Sequence, residues 1–370
     1  MWFSTPDSSE FSTPALAVYP DRISTNIKQT LDVVANKTER LCPHVKTHKC
    51  GNILQLFVNA GITQFKCSSI DELQLLVRNP ATNFALLAKQ PVGPDLDHVV
   101  SIAAENQNCN VAAIVDSEQT LDELLSSAIK HDIEFEVLLD INNGMDRTGI
   151  RASDEAFDLY RRLSESKQLR PGGLHVYDGH IHDSDASVRK QNVEAAMEEV
   201  LQFRSRLLDA GFDVPRLITG GTPSFPIHAE HSDRICSPGT PALWDAGYAH
   251  NYPDLPFVPA AVLLTRVISK LERDTYCLDL GYKSISSEMR PPRAKFLSID
   301  VVEEVAHSEE HLVIRVAEGE TLRVGQVVFA LPWHICPTVA RHSELLVVEE
   351  QRIVDRWRVS RDRVPPRQTG

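Results

Sequence analysis

No stretch of these 370 residues approaches the roughly 18 consecutive apolar residues of a membrane-spanning helix. The opening M-W-F-S-T-P-D-S-S-E lacks the basic and apolar regions of a secretion signal. Basic residues are in deficit. The 38 Lys and Arg stand against 51 Asp and Glu, a net charge of −13, which argues against nucleic acid or an anionic membrane surface as partner. The seven cysteines are odd in number and scattered, unlike a disulfide framework, so the expected compartment is the cytoplasm with reduced thiols. Internal repeats and low-complexity tracts are absent, and no G-x-G-x-x-G follows the first expected strand, which counts against a dinucleotide-binding open sheet.

What is present is an ordinary globular composition, 42% hydrophobic and 24% charged, long enough for a large core and two domains. Residues 11–19 read as a short strand. Asp21 then reads as the cap of a helix with Ile23, Ile27, Leu31 and Val34 at helical spacing. Short apolar runs alternate with amphipathic patterns from there on. Strands are expected near residues 41–47, 64–68, 84–89, 111–115, 135–141, 173–177, 216–219 and 234–237. Leu121, Leu124, Leu125, Ala128 and Ile129 mark one helix between them. Val193, Met197, Val200, Leu201 and Leu208 mark a longer one that Gly211 closes. Eight such units over roughly 210 residues predict an α/β fold, a (β/α)8 TIM-type barrel over residues 21–250. Past Tyr252 the texture changes to strands near 258–270, 275–280, 295–302, 312–316, 327–331 and 345–348, with a late hairpin turning at Glu350-Gln351. This predicts a C-terminal all-β domain of residues 251–370, joined by residues 1–20. The tail from Ser360 is expected to be poorly ordered.

Residues 40–49, R-L-C-P-H-V-K-T-H-K, place Lys46 between His44 and His48. On a strand all three point to one face, where two imidazoles would disfavour the charged form of the amine. The plain alternative is a surface lysine beside incidental histidines. In a parallel barrel, function gathers at the C-terminal strand ends, with phosphate held after strands 7 and 8. Thr219-Gly220-Gly221-Thr222-Pro223-Ser224 and Ser237-Pro238-Gly239-Thr240 stand at those two places, and both combine glycine with hydroxyls. Turns use the same residues, but not at two predicted positions by habit. Arg147 follows the fifth strand, while His175 and Tyr177 share a face of the sixth, ahead of Asp178-Gly179-His180-Ile181-His182-Asp183. A lysine, a phosphate cradle, an arginine and a tyrosine around one mouth point to pyridoxal 5′-phosphate held as a Schiff base. A barrel binding a phosphorylated sugar is the other reading. In the β domain, Leu331-Pro332-Trp333-His334-Ile335-Cys336-Pro337-Thr338 sets an imidazole and a thiol two apart on an extended segment. That pair suits Zn²⁺, or else is a buried histidine beside an inert cysteine. His180, His182 and Asp183 are candidates for a third ligand or a catalytic base.

P-H-V-K-T-H-K, G-G-T-P-S, P-G-T before L-W-D-A-G-Y, L-D-L-G-Y-K-S and W-H-I-C-P-T together resemble the D-threonine aldolase and eukaryotic-type D-serine dehydratase family. Its members are fold-type III pyridoxal phosphate enzymes with an alanine-racemase-like barrel and a β domain. The likeness runs from about Thr13 to Arg363. It implies that Lys46 forms the Schiff base, that Arg147 faces the pyridine nitrogen and that Tyr177 contacts the cofactor. It further implies that Gly220, Gly221, Thr222, Gly239 and Thr240 bind the phosphate, and that His334 and Cys336 hold a divalent ion, Zn²⁺ or Mn²⁺. Asp245, Tyr248, Asp279 and Lys283 sit inside matching motifs. The implied substrate is a D-3-hydroxy amino acid. The first expectation is aldol cleavage of D-threonine to glycine and acetaldehyde, for which Y-D-G-H and L-W-D-A-G-Y speak. The alternative is dehydration of D-serine to pyruvate and ammonia, for which His-x-Cys speaks. An amino-acid racemase is disfavoured by the His–Cys pair, and a non-catalytic pyridoxal phosphate carrier by the β domain. A homodimer is expected from the fold.

Overall fold

Strands buried on both faces read as unbroken apolar runs, because neither side meets water. After the short β1 (Ala15–Val18) and α1 (Pro20–Val33) come β2 (Gln64–Cys67), β3 (Phe84–Leu87), β4 (Asn110–Val115), β5 (Phe135–Ile141), β6 (Leu169–Val176), β7 (Leu217–Thr219) and β8 (Ile235–Cys236), of which β3, β4 and β5 are the most nearly continuous such runs. The computed structural model describes residues 2–3 and 11–361, so nine residues of the expected disordered tail, 362–370, lie outside the described residues. The chain divides into two compact units, one of which comprises Thr30–Lys46 and Leu54–Gly239. In that unit β2 to β8 form one seven-stranded parallel sheet in sequence order. Cys42, Phe84, Leu86, Ala112, Ile114, Leu138 and Ile218 pack together in its core.

The helices that connect these strands are α2 (Gly51–Asn59), α3 (Ile70–Val77), α4 (Pro94–Glu105), α5 (Glu118–Lys130), α6 (Asp154–Glu165), α7 (Ala186–Asp209) and α8 (Phe225–Ala229). Ser69, Ser117, Ser153 and Asp185 each accept a hydrogen bond from a first-turn amide, satisfying donors that a helix start leaves open. Gly211, at φ +84°, ends α7 as its sequence position predicts. Asp21 is not a cap. It lies inside the first turn of α1, which Pro20 opens because a proline lacks only an amide the first turn would leave unbonded.

The expected strand over 41–47 does not form. Leu41 bridges Cys236 and His44 bridges Lys66, each singly. The amides of Cys42 and His44 donate to Cys236 O (2.8 Å) and Pro238 O (2.9 Å), and Lys66 N donates to Pro43 O (2.9 Å). Pro43 has no amide to give a ladder, and the chain then tightens into a single 3₁₀ turn at Val45–Thr47. The regular sheet therefore has seven strands rather than eight.

The second unit comprises residues up to Gln29, Thr47–Ile53 and Thr240–Arg361. It contains α9 (Ala246–Asn251), β9 (Ala261–Lys270), β10 (Thr275–Leu278), β11 (Ala294–Phe296), β12 (Val301–His307), β13 (Leu312–Val316), β14 (Val327–Pro332), α10 (Ile335–Val339), β15 (Glu344–Glu349) and β16 (Arg352–Arg358). Its nine-stranded sheet runs β12-β13-β10-β9-β1-β15-β16, with β14 joining β9 and β11 joining β14. The opening strand joins this sheet as expected, antiparallel to β9 and parallel to β15. The expected single strand over 295–302 is two, β11 and β12. The β15–β16 hairpin turns where predicted, with Glu350 (φ 46°) and Gln351 (φ 65°) both left-handed, the geometry that matches strand twist. Ala17, Tyr19, Val262, Leu264, Leu331 and Leu346 pack in its core. Among the described residues no helix is long and apolar enough to cross a membrane.

Candidate active site

In the parallel-sheet unit the ring of Tyr177, just past β6, gathers three cations. Lys46 Nζ lies 5.5 Å from its centroid, Lys66 Nζ 5.7 Å and Arg147 Cζ 5.0 Å. The sequence named Lys46, Arg147 and Tyr177, and the fold brings them together. It does not set His44, Lys46 and His48 on one face, because the 3₁₀ turn breaks the alternation. The imidazoles serve the backbone instead: Lys46 N donates to His44 Nδ1 and Cys50 N to His48 Nδ1, both at 3.2 Å.

Burial holds His48 well below the usual imidazole range, at about 3 against an ordinary 6.5. The folded chain keeps it neutral while the unfolded chain protonates it, so stability is lost as pH falls from about 6.5 towards 3. His48→Gln is expected to remove about 2 kcal/mol of the destabilisation seen between pH 7 and 5. Urea midpoints at the two pH values measure it.

Lys66 was not singled out by sequence. Buried on β2, it donates to Ser237 Oγ at 2.5 Å, and burial, reinforced by the charge of Lys46, lowers its pKa to about 8. On neighbouring strands Asp140 Oδ1 and His175 Nδ1 lie 2.7 Å apart, both buried, and His175 Nε2 has no hydrogen-bond partner among the described residues. Burial pushes His175 downward, so this imidazole is neutral with an open ring nitrogen.

The loop after β7 is held by Asp178, which accepts from Gly221 N (3.0 Å), Ser224 Oγ (2.8 Å) and His228 Nε2 (2.8 Å). Arg234 Nη1 faces His228 Nδ1 at 3.2 Å, and an arginine only donates, so the His228 proton sits on Nε2. Burial pushes Asp178 upward, but its hydrogen bonds and the His228 interaction together hold the carboxyl below its usual range. The two glycine loops meet where Gly239 N donates to Thr222 Oγ1 at 3.1 Å. Gly220 N donates to Val176 O and Gly221 N to Asp178, so these two amides are already bound within the protein. What the glycines give is room. Gly220 has φ +75°, and a Cβ there would meet His228 Cδ2 at 2.4 Å.

The Arg147 loop packs on His180, whose Nε2 would lie 3.0 Å from a Cβ at Gly144 and whose buried Nδ1 is unpaired. His182 is exposed and donates from Nδ1 to His180 O (2.6 Å), while Asp183 accepts from Asn192 Nδ2 (2.8 Å).

In the β unit, His334 and Cys336 are not on one extended segment. His334 is extended (φ −132°, ψ 105°) and Cys336 lies in α10. They meet nonetheless: burial would raise the Cys336 thiol, but the His334 hydrogen bond and charge bring it below its ordinary value. Thr47 Oγ1, next along the chain from Lys46, lies 3.1 Å from Cys336 Sγ, and Thr240 Oγ1 3.7 Å. Glu288 Oε1 lies 2.6 Å from His334 Nδ1. Asp245 accepts from Ile335 N (2.9 Å) and Tyr248 N (2.7 Å), and burial lifts it to about 6. Asp279 accepts from Thr13, Thr265 and the Arg266 amide, and Lys283 pairs with Glu309 and Glu310, so both have structural partners.

The "Alanine racemase, N-terminal domain" family matches residues 18–240, and a "Putative serine dehydratase domain" matches residues 260–348. The chain belongs to the alanine racemase N-terminal domain family. It is also similar to a D-threonine aldolase of Arthrobacter sp, 26% identical over 94% of this chain and 92% of that protein. A 3-hydroxy-D-aspartate aldolase of Paracoccus denitrificans is 23% identical over 96% and 93%. The crystal structure of D-threonine aldolase from Filomicrobium marinum superposes with a TM-score of 0.84 at 25% identity, covering 96% of this chain and 97% of that one. Within the family the chain falls in the D-threonine aldolase and D-serine dehydratase group, and it is a pyridoxal phosphate-dependent lyase.

The residues fit that cofactor: an amine and two further cations around an aromatic face, an unpaired buried ring nitrogen at His175 and an unpaired buried hydroxyl at Thr219. For a metal, the described residues hold no cluster of three or more His, Cys, Asp or Glu ligands. His334 and Cys336 do fit an open site. Glu288 steadies the imidazole at Nδ1, and the proton that His334 shares with the Cys336 thiol is one a metal ion would displace, leaving further positions for water and substrate.

Proposed function

We propose that the protein cleaves D-3-hydroxy amino acids, D-threonine to glycine and acetaldehyde foremost, with pyridoxal phosphate and a divalent ion. The observation that carries the reading is the convergence of Lys46, Lys66 and Arg147 on the Tyr177 ring. Similarity to D-threonine and 3-hydroxy-D-aspartate aldolases supports it. The seven regular strands with the Leu41 and His44 bridges are read as a (β/α)8 barrel. Bound there, the cofactor supplies an electron sink for charge left at the substrate α-carbon. Lys46 would hold it covalently, Arg147 would face its pyridine nitrogen, and Thr222, Gly239 and Thr240 would line the phosphate end, with Gly220 and Gly221 leaving space. His180 and His182 are the candidate proton carriers. His334 and Cys336 would hold a divalent ion, Zn²⁺, which a thiolate favours, or Mn²⁺, and such an ion would supply Lewis-acid help at the substrate hydroxyl. The protein acts in the cytoplasm as a homodimer.

A second reading, dehydration of D-serine to pyruvate and ammonia, is favoured by Cys336 and by the serine dehydratase match over residues 260–348. Pure enzyme with metal is incubated with D-threonine and D-serine separately. Glycine and acetaldehyde from D-threonine are expected; pyruvate from D-serine alone would reverse the order of the two readings.

A further inference from the structure

Lys66 is a buried cation that the fold does not need. Its ammonium has three donor hydrogens, and one goes to Ser237 Oγ at 2.5 Å. The described residues provide no carboxylate ion pair: Asp140 and Asp178 act on it only at a distance, while Lys46 repels it. Ser237 is itself committed, its hydroxyl lying 3.0 Å from both Thr219 O and Gly220 O. The groups that face Lys66 are thus Cys42, Asp140, Asp178, Ser237, Lys46 and the ring of Tyr177. Burying an ammonium with so little compensation costs stability, and replacing it by an apolar side chain of similar size is often neutral or stabilising. A buried ammonium with unmet donors is the kind of local-rule violation that functional sites carry.

We infer that Lys66 is a cofactor-binding residue, its free N–H groups reserved for an acceptor atom on the ring of the planar, anionic aldehyde that Lys46 captures. The inference rests on the function proposed above and adds a residue to it. The ring, not the phosphate, is the target. Lys66 Nζ lies 5.7 Å from the centroid of the Tyr177 ring, which Lys46 and Arg147 also approach, so it stands among the groups gathered around one aromatic face. His175 Nε2, unpaired and buried, is electrostatically coupled to Lys66 and adds a second unmet polar atom to the same interior.

The test compares full-length wild type and Lys66→Met, each freed of cofactor with hydroxylamine. Equilibrium dialysis gives Kd for pyridoxal 5′-phosphate and for pyridoxal, and thermal melting gives the stability of the cofactor-free proteins. Loss of a charged hydrogen bond is expected to raise Kd about ten- to a hundredfold. The same factor is expected for both ligands, since the phosphate is not involved, and the cofactor-free variant should melt no lower than wild type. A loss confined to the phosphorylated ligand overturns the ring assignment. A lower melting temperature with unchanged Kd overturns the inference and makes Lys66 structural. Should Lys66→Met not fold, Lys66→Gln, which keeps a neutral donor, is expected to weaken both ligands severalfold, and wild-type affinity there is equally fatal. If wild type itself binds neither ligand, the functional reading fails first; if wild type binds and the variants bind equally, only this inference falls.

Discussion

Lys46→Ala is expected to lower turnover by about 10³-fold or more and to leave a protein that binds its cofactor only reversibly. The fold should survive. Lys46 is only partly buried, and its segment is fixed by backbone groups: His44 N donates to Pro238 O, Pro43 O accepts from Lys66 N, and the Lys46 amide donates to His44 Nδ1. Alanine keeps every one of those bonds, so melting temperatures should agree within a few degrees. Lys46→Arg separates charge from nucleophilicity, because it restores a cation beside Tyr177 but cannot form the covalent link. It should be as inactive as alanine. Substantial activity in the arginine variant, read as product release from D-threonine, would mean that Lys46 acts only as a charge.

The second large effect is at the other unit. Cys336→Ala is expected to remove metal from the purified protein and to reduce activity by about 10²–10³-fold, the scale of losing Lewis-acid help at one oxygen. A chelator should do the same to wild type, with recovery on adding Zn²⁺ or Mn²⁺. Cys336→Asp keeps an anionic ligand and should retain metal and a share of activity. Glu288→Gln is a milder perturbation, since Glu288 touches His334 Nδ1 and not the ion. Metal content by elemental analysis, set against activity, checks the series. Wild-type rates that ignore the chelator would remove the metal from the account.

How far the sequence spoke for the structure depends on the kind of signal. The strands after residue 60 were legible because parallel strands are buried on both faces and show as apolar runs between capped helices. The late hairpin was legible because its turn falls between two such runs. Residues 41–47 were misread since their apolar and polar residues alternate like a strand, while Pro43 denies the ladder an amide and the next residues tighten into a 3₁₀ turn. His334 and Cys336 were correctly joined but on the wrong backbone, because a helix begins between them.

In the candidate site, Lys46, Arg147 and Tyr177 announced themselves by standing at or just past the expected strand ends. Lys66 did not, although a signal existed: in Gln64-Phe65-Lys66-Cys67, a strand buried on both sides must bury its lysine whichever face it takes. Asp178 and His228 are fifty residues apart and meet only through the fold, which is also true of Glu288 and His334. Tertiary pairing of that kind leaves no local trace in a single chain.

The central claim is that Lys46 carries the cofactor, and hydride reduction tests it directly. Borohydride reduces a carbon–nitrogen double bond to a stable amine, so treatment of the purified holoenzyme fixes the pyridoxyl group where it sits, and peptide mass spectrometry reads the position. The added mass is expected on the peptide containing Lys46, and on that of Lys66 not at all. A label on Lys66, or no label on a catalytically active enzyme, would contradict the account.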